Sequence, residues 1–207
     1  MCLKGLNIMS DKILYAYLGK TSKEQSLSIL DLRSDNDINY MIDSDLRNSI
    51  NKDVEGLCGY TDFFDERQIQ EKLDNWMPAK HIVVCPTVDS LLDLSSADEN
   101  LRVLLQKVFS LTKMLYLPVM RYRQSMLWYL DFTPIYLEKN PQCGVLMESF
   151  SKGLDAVSKV AALELSRKKI LVNSIKVTNQ DYLPDLISFL AWSGKRKMYL
   201  TAQSLTL

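Results

Sequence analysis

The sequence predicts an α/β fold, a parallel sheet with helices on both faces, and three stretches predict it. Phe150 to Val177 reads as an amphipathic helix, a basic turn and a buried strand. Leu154, Val157, Ala161 and Leu165 recur at helical spacing, and Lys168 and Lys169 stand where cations favour a helix C-terminus. Ile170, Leu171, Val172, Ile175 and Val177 then form a β-branched run of strand length. Leu101 to Met120 repeats the pattern as a second long helix, followed by a strand at Ser125–Phe132, and His81–Thr87 (HIVVCPT) is a third apolar run ahead of it. Strands alternating with helices in this way build parallel sheets.

A chain of 207 residues suits one such unit, so residues 1–207 are taken as a single domain, with 1–10 a flexible leader and Met9 a second possible start. Twenty-five basic residues balance twenty-five acidic ones, which argues against nucleic acid or an anionic membrane as partner. The basic runs Arg167–Lys169 and Lys195–Lys197 read as solvated helix ends. No apolar run of membrane-span length and no signal peptide stand out. The four cysteines (Cys2, Cys58, Cys85, Cys143) are far apart and His81 is the single histidine, so no metal centre is expected. A nucleophile–histidine system would rest on His81 alone, at the mouth of a strand, where a structural role is the better account. The dispersed thiols suit a reducing cytoplasm.

In chain order, Lys12–Leu18 reads as the first strand and Ser26–Leu32 as the second. The link between them is too short for a parallel crossover, which needs a dozen residues or more. Residues 11–53 therefore look like a degenerate first half with its first helix cut out. Asp37–Ile50 reads as a helix through Ile38, Met41, Ile42, Leu46 and Ile50. A strand ending Gly59-Tyr60-Thr61-Asp62 and a charged helix at Glu66–Trp76 follow. Asp89–Asn100 reads as a polar loop and Thr133–Met147 as another, while Pro184–Trp192 reads as a helix and Tyr199–Leu205 as a closing strand.

Several of these segments resemble the short-chain dehydrogenase/reductase family. Ser151-Lys152 matches the end of its Tyr-x-x-x-Lys helix motif, and Val172-Asn173-Ser174-Ile175 its V-N-x-I strand. Val108-Phe109-Ser110-Leu111-Thr112 is similar to the VFxxT of its dimerisation helix, Pro118-Val119-Met120 to the LPxM that closes it, and Tyr199–Leu205 to Y-I-T-G-Q-x-L. The likeness covers roughly residues 55–207 and implies a truncated Rossmann-like parallel sheet. It also implies where a site would lie and how far this chain departs from it. Glu148 stands at the tyrosine position, Leu104 at the asparagine position, and Phe132 or Thr133 at the serine position, so Lys152 alone remains of the catalytic set. Not one residue of N-N-A-G is kept after the fourth strand, and no G-x-x-x-G-x-G loop exists among the seven glycines. Asp31 and Arg33 end the expected second strand, where the family reads the adenosine ribose. Gly19-Lys20-Thr21 resembles the end of a P-loop, but Leu14 stands where its first glycine must be. No cofactor is therefore expected, and Glu148 reads as a helix N-terminal carboxylate favoured by the dipole.

The two long helices carry apolar residues on two sides. On the first, Leu101, Leu104, Leu105, Val108, Leu111 and Leu115 make one stripe, and Val103, Phe109, Met114, Leu117 and Met120 another. The second adds Val160 and Leu163 on its outer side. One side packs on the sheet and the other needs a partner. In the family these helices form a dimer interface, so the resemblance implies a non-catalytic subunit paired with an active ketoreductase paralogue of fatty-acid or polyketide type. Such a hetero-oligomer would meet acyl carrier protein through that partner. Two other readings stand beside it: proton-transfer chemistry rewritten around Glu148 and Lys152, and a small-ligand scaffold in the vestigial cleft.

Overall fold

The computed structural model describes residues 12–20, 38–49, 58–121, 125–179, 181, 186, 188–190 and 201–207. Seven strands form one parallel sheet in the order β3-β2-β1-β4-β5-β6-β7. They are β1 Ile13–Leu18, β2 Ile38–Asp43, β3 Cys58–Thr61, β4 His81–Pro86, β5 Met126–Asp131, β6 Leu171–Lys176 and β7 Ser204–Thr206. The first six positions are the doubly wound order, in which the chain reverses direction of growth between β1 and β4.

Alternate residues of the central strands feed two cores. Leu14, Met41, Ile82, Val84, Leu127, Tyr129 and Val172 meet α1 (Glu66–Trp76), α2 (Ala97–Arg121) and α4 (Gly144–Ser166). Tyr15, Tyr17, Tyr40, Val83, Trp128 and Ile175 line the opposite face, with Leu46, Leu186 and Leu190 over it. Leu186 and Ser188–Leu190 are helical, which places the expected helix at Pro184–Trp192 on that face as far as the described residues reach. Both faces of the sheet are thus covered, the condition under which parallel strands are stable. α1 starts where the sequence predicts, because Asp65 caps it by accepting from the backbone N–H groups of Arg67 and Gln68.

Four expectations need correction. The strand beside β1 is Ile38–Asp43, where a helix over Asp37–Ile50 is expected from sequence, and Ser26–Leu32 lies outside the described residues. The 3–4 spacing of Ile38, Met41, Ile42 and Leu46 imitates a helix. It arises because a strand covered on both faces buries neighbours as well as alternate residues. The β1–β2 connection is therefore residues 19–37, long enough for a parallel crossover, and the expected loss of that crossover does not hold. Thr133–Met147 is not a loop: it holds α3 (Thr133–Lys139), a 3-10 turn at Pro141–Cys143 and the start of α4. Finally, α2 has the length and apolarity of a membrane span after all, with a mean hydropathy of 1.2 over its most apolar window. Its buried face (Leu104, Val108, Leu111, Leu115, Val119) is the reason, since that face belongs to the core of this sheet.

Two polar side chains fix the centre of the sheet. His81 is buried at the start of β4 and its Nδ1 accepts a hydrogen bond from Trp128 Nε1 at 3.2 Å, a structural role as the sequence suggests. Thr112 on α2 donates to the Val108 carbonyl and shares a 2.8 Å hydrogen bond with the Tyr129 hydroxyl, tying helix to strand.

Candidate functional site

In a doubly wound sheet, ligands bind outside the carboxyl ends of the strands, at the crevice beside β1. Among the described residues that edge carries three groups of the chain's own side chains.

The first lies at the ends of β1 and β2. Gly19, just past β1, has φ +117 and donates its N–H to Asp43 Oδ2 at 2.9 Å. Asp43 is the last residue of β2 and only 1% exposed. Lys107 reaches in from α2, itself buried, with Nζ 2.7 Å from Asp43 Oδ2 and 2.8 Å from Asp45 Oδ2. The Phe64 ring lies 5.4 Å from the same ammonium. Burial pushes the Asp43 carboxyl up, against the pull of Lys107 and the Gly19 N–H. Burial would also release the Lys107 proton, but the two carboxylates outweigh it and hold the ammonium above its ordinary value.

The second group closes the β1–β4 crevice. Thr87 gives both its N–H (2.8 Å) and its hydroxyl (2.9 Å) to the Leu18 carbonyl. A Cβ on Gly19 would stand 2.5 Å from Thr87 Oγ1 and 3.2 Å from Leu104 Cδ1, so the crevice is filled up to the glycine backbone.

The third group joins β5 to α3 and α4. Asp131 is 2% exposed; its Oδ1 accepts from Thr133 N–H (3.0 Å) and Thr133 Oγ1 (2.6 Å), and its Oδ2 from Ser151 Oγ (2.5 Å). Nearby, burial and the Asp89 carboxylate to which it donates push the Tyr136 hydroxyl far up.

The positions singled out from sequence fall in different places. Glu148 and Lys152 form a loose ion pair at 3.8 Å on the surface of α4, with side chains 66% and 82% exposed. Glu148 lies past the first turn of α4, which begins at Gly144, so it is not the helix-terminal carboxylate expected. It also lacks the burial on which general-acid carboxyls draw. Leu104 packs on Gly19, Phe132 is buried against the opposite core, and Thr133 is committed to Asp131. Asp31 and Arg33 lie outside the described residues; the carboxylate that ends β2 is Asp43. Sequence reasoning missed Asp43, Lys107, Asp131 and Ser151. One signal was available: Lys107 sits in the 104, 108, 111, 115 stripe, and a lysine on an apolar helix face must meet a carboxylate.

The arrangement does not fit a dinucleotide. A pyrophosphate needs several glycines for close backbone approach, and the β1–β2 connection holds Gly19 alone. The carboxylate that would take ribose hydroxyls is bound to Lys107 instead.

The architecture is that of the short-chain dehydrogenase/reductases. Solved structures of that fold align over nearly the whole chain: a short-chain dehydrogenase from Mycobacterium smegmatis (12% identity, 95% of this chain and 91% of that one, TM-score 0.60), and a short-chain dehydrogenase/reductase mutant from Serratia marcescens (15%, 96% of both, 0.60). ElxO with NADP bound is a third (14%, 95% of this chain and 96% of that one, 0.60). At these identities the likeness is one of fold. No family sequence model and no curated protein matches the chain.

Proposed function

We propose that this chain is a non-catalytic subunit that pairs with an active NAD(P)-dependent ketoreductase of the same fold, of fatty-acid or polyketide type. One observation carries the reading. Among the described residues seven large apolar side chains are exposed, and five of them lie on α2 and α4: Phe109 (59%), Leu117 (70%), Val145 (82%), Val160 (54%) and Leu163 (72%). The two helices pack side by side, with Leu105 against Gly153, so these exposed residues all belong to one helix pair. Apolar exposure concentrated on one helix pair favours a binding face over scatter. Of the other three residues of that stripe named from sequence, Val103 is half-buried and Met114 and Met120 lean on the core.

The internally occupied strand ends supply the other half of the reading, since among the described residues they leave neither a cofactor cradle nor a free catalytic pair. The exposure of Glu148 and Lys152 counts against chemistry rewritten around them. A cytoplasmic setting is consistent with the buried free thiols of Cys85 and Cys143. Contact with acyl carrier protein would come through the partner.

Co-expression with an intact reductase encoded beside it should give a co-purifying complex, and Phe109→Glu or Val160→Glu should split it. A soluble monomer, alone and beside every candidate reductase, overturns the pairing. Micromolar NADH or NADPH binding by calorimetry, about −8 kcal/mol, overturns the non-catalytic role.

A further inference from the structure

The geometry points to Lys107 as an internal occupant of the nucleotide end of the cleft: its ammonium takes the place at Asp43 that a ribose would take, and so keeps that end shut. This rests on the non-catalytic reading and goes beyond it, because it names the device that closes the site.

The position follows from topology. In a doubly wound sheet the acidic residue at the end of the second strand receives ribose hydroxyls, and the glycine after the first strand lets the ligand approach. Asp43 ends β2 and Gly19 follows β1, and one Asp43 oxygen takes both the Gly19 N–H and the Lys107 ammonium. The enclosing residues come from three strand ends: Gly19 after β1, Asp43 and Asp45 at β2, and Phe64 after β3. The group is not sealed inside the protein, for Phe64 is 49% exposed and the Asp45 side chain 42%. Among the described residues, the lysine chain, entering from the α2 side, is the cation that covers the Asp43 carboxylate at this edge. Leu104, one turn earlier on α2, rests on Gly19, so a single helix closes both the ribose end and the crevice beside it.

A lysine here is an effective plug for a physical reason. A buried carboxylate must be paired, and a tethered ammonium pairs it without the entropy of binding a free ligand. A neutral ribose hydroxyl cannot displace a charge-assisted contact with two carboxylates.

The test uses the full chain and adenosine as probe, followed by calorimetry and by protein NMR shifts. Wild type should show no binding at millimolar adenosine. Lys107→Ala, which empties the position and leaves Asp43, should bind at least tenfold tighter, and adding Asp43→Ala should abolish the gain. If Lys107→Ala does not fold, Lys107→Ala/Asp45→Asn removes one carboxylate with the ammonium and carries the same titration. Thermal unfolding reads the contact itself: Lys107→Met should lower the midpoint by roughly 10 °C, and adding Asp43→Asn should restore much of the loss. Equal adenosine binding by wild type and the lysine variants, none included, overturns the proposal, as does a Lys107→Met midpoint equal to wild type. Failure to pair with a reductase would overturn the pairing proposed above and leave the closed site, and this inference, standing.

Discussion

Single residues show where this chain strains the fold and where it does not. Ala202 sits at φ 59, in the left-handed region, at the position where the similar closing strand Y-I-T-G-Q-x-L has glycine. A Cβ there costs about 1 kcal/mol, partly offset by the extra freedom of an unfolded glycine. Ala202→Gly should therefore raise the thermal midpoint by up to about 2–4 °C. The backbone must take this turn because Ala202 N–H donates to the Val172 carbonyl and Gln203 N–H to Asn173 Oδ1, which starts β7 beside β6. Glu148 and Lys152 are the opposite case. An exposed i,i+4 pair at 3.8 Å contributes little, so Glu148→Gln and Lys152→Ala should each change stability by less than about 0.5 kcal/mol. Both should leave the activity of any co-purified reductase within a few-fold. A hundredfold loss with assembly intact would return the pair to catalysis.

At the level of elements, α2 and α4 carry the argument. Each buries one side against the sheet and leaves apolar side chains on the other, and they approach closely enough that Gly153 has no room beside Leu105. A Cβ at Gly153 would lie 2.9 Å from Leu105 Cδ2. Gly153→Ala gains about 1 kcal/mol of helix propensity and displaces one flexible methyl, so it should be near neutral. Gly153→Val adds branches to the same contact and should cost about 1–3 kcal/mol, read as a lower urea midpoint at unchanged slope. Past the end of α4, Lys169 sits in the left-handed region (φ 60), and Ile170 N–H donates back to the Leu165 carbonyl, so the chain turns directly into β6.

Across the whole molecule, three buried or half-buried groups give up their protons late in alkali. Burial drives the Tyr129 hydroxyl well up; burial and Asp89 do the same to Tyr136, and the carboxylates raise Lys107. Each folded-state value lies above its unfolded one. Their contributions are thus complete below about pH 10 and are lost as pH climbs past it. Titration followed by tyrosinate absorbance should show a fraction of the ten tyrosines silent until the circular dichroism signal collapses, and then ionising together with it. Smooth ionisation of all ten before unfolding would contradict the buried positions assigned to Tyr129 and Tyr136.

The second half of the fold was legible in the sequence because its elements are long and periodic. The sequence predicts Glu66–Trp76 to the residue, and β4, α2, β5 and β6 to within a few, since a helix stripe or a β-branched run is a local signal. The first half was legible only in part: β1 and β3 stand where expected, and β2 does not. Ile38–Asp43 carries apolar residues on both faces, so its pattern fits helix and strand alike, and only pairing with β1 decides between them. The site divides the same way. The lack of a glycine loop and the tyrosine position held by Glu148 are local facts, available from sequence. That Lys107 meets Asp43 across 64 positions, and that Ser151 meets Asp131 across 20, was decided by the tertiary fold. A side chain's partner is set by which strand ends the topology brings together, and that information is not carried by spacing along the chain.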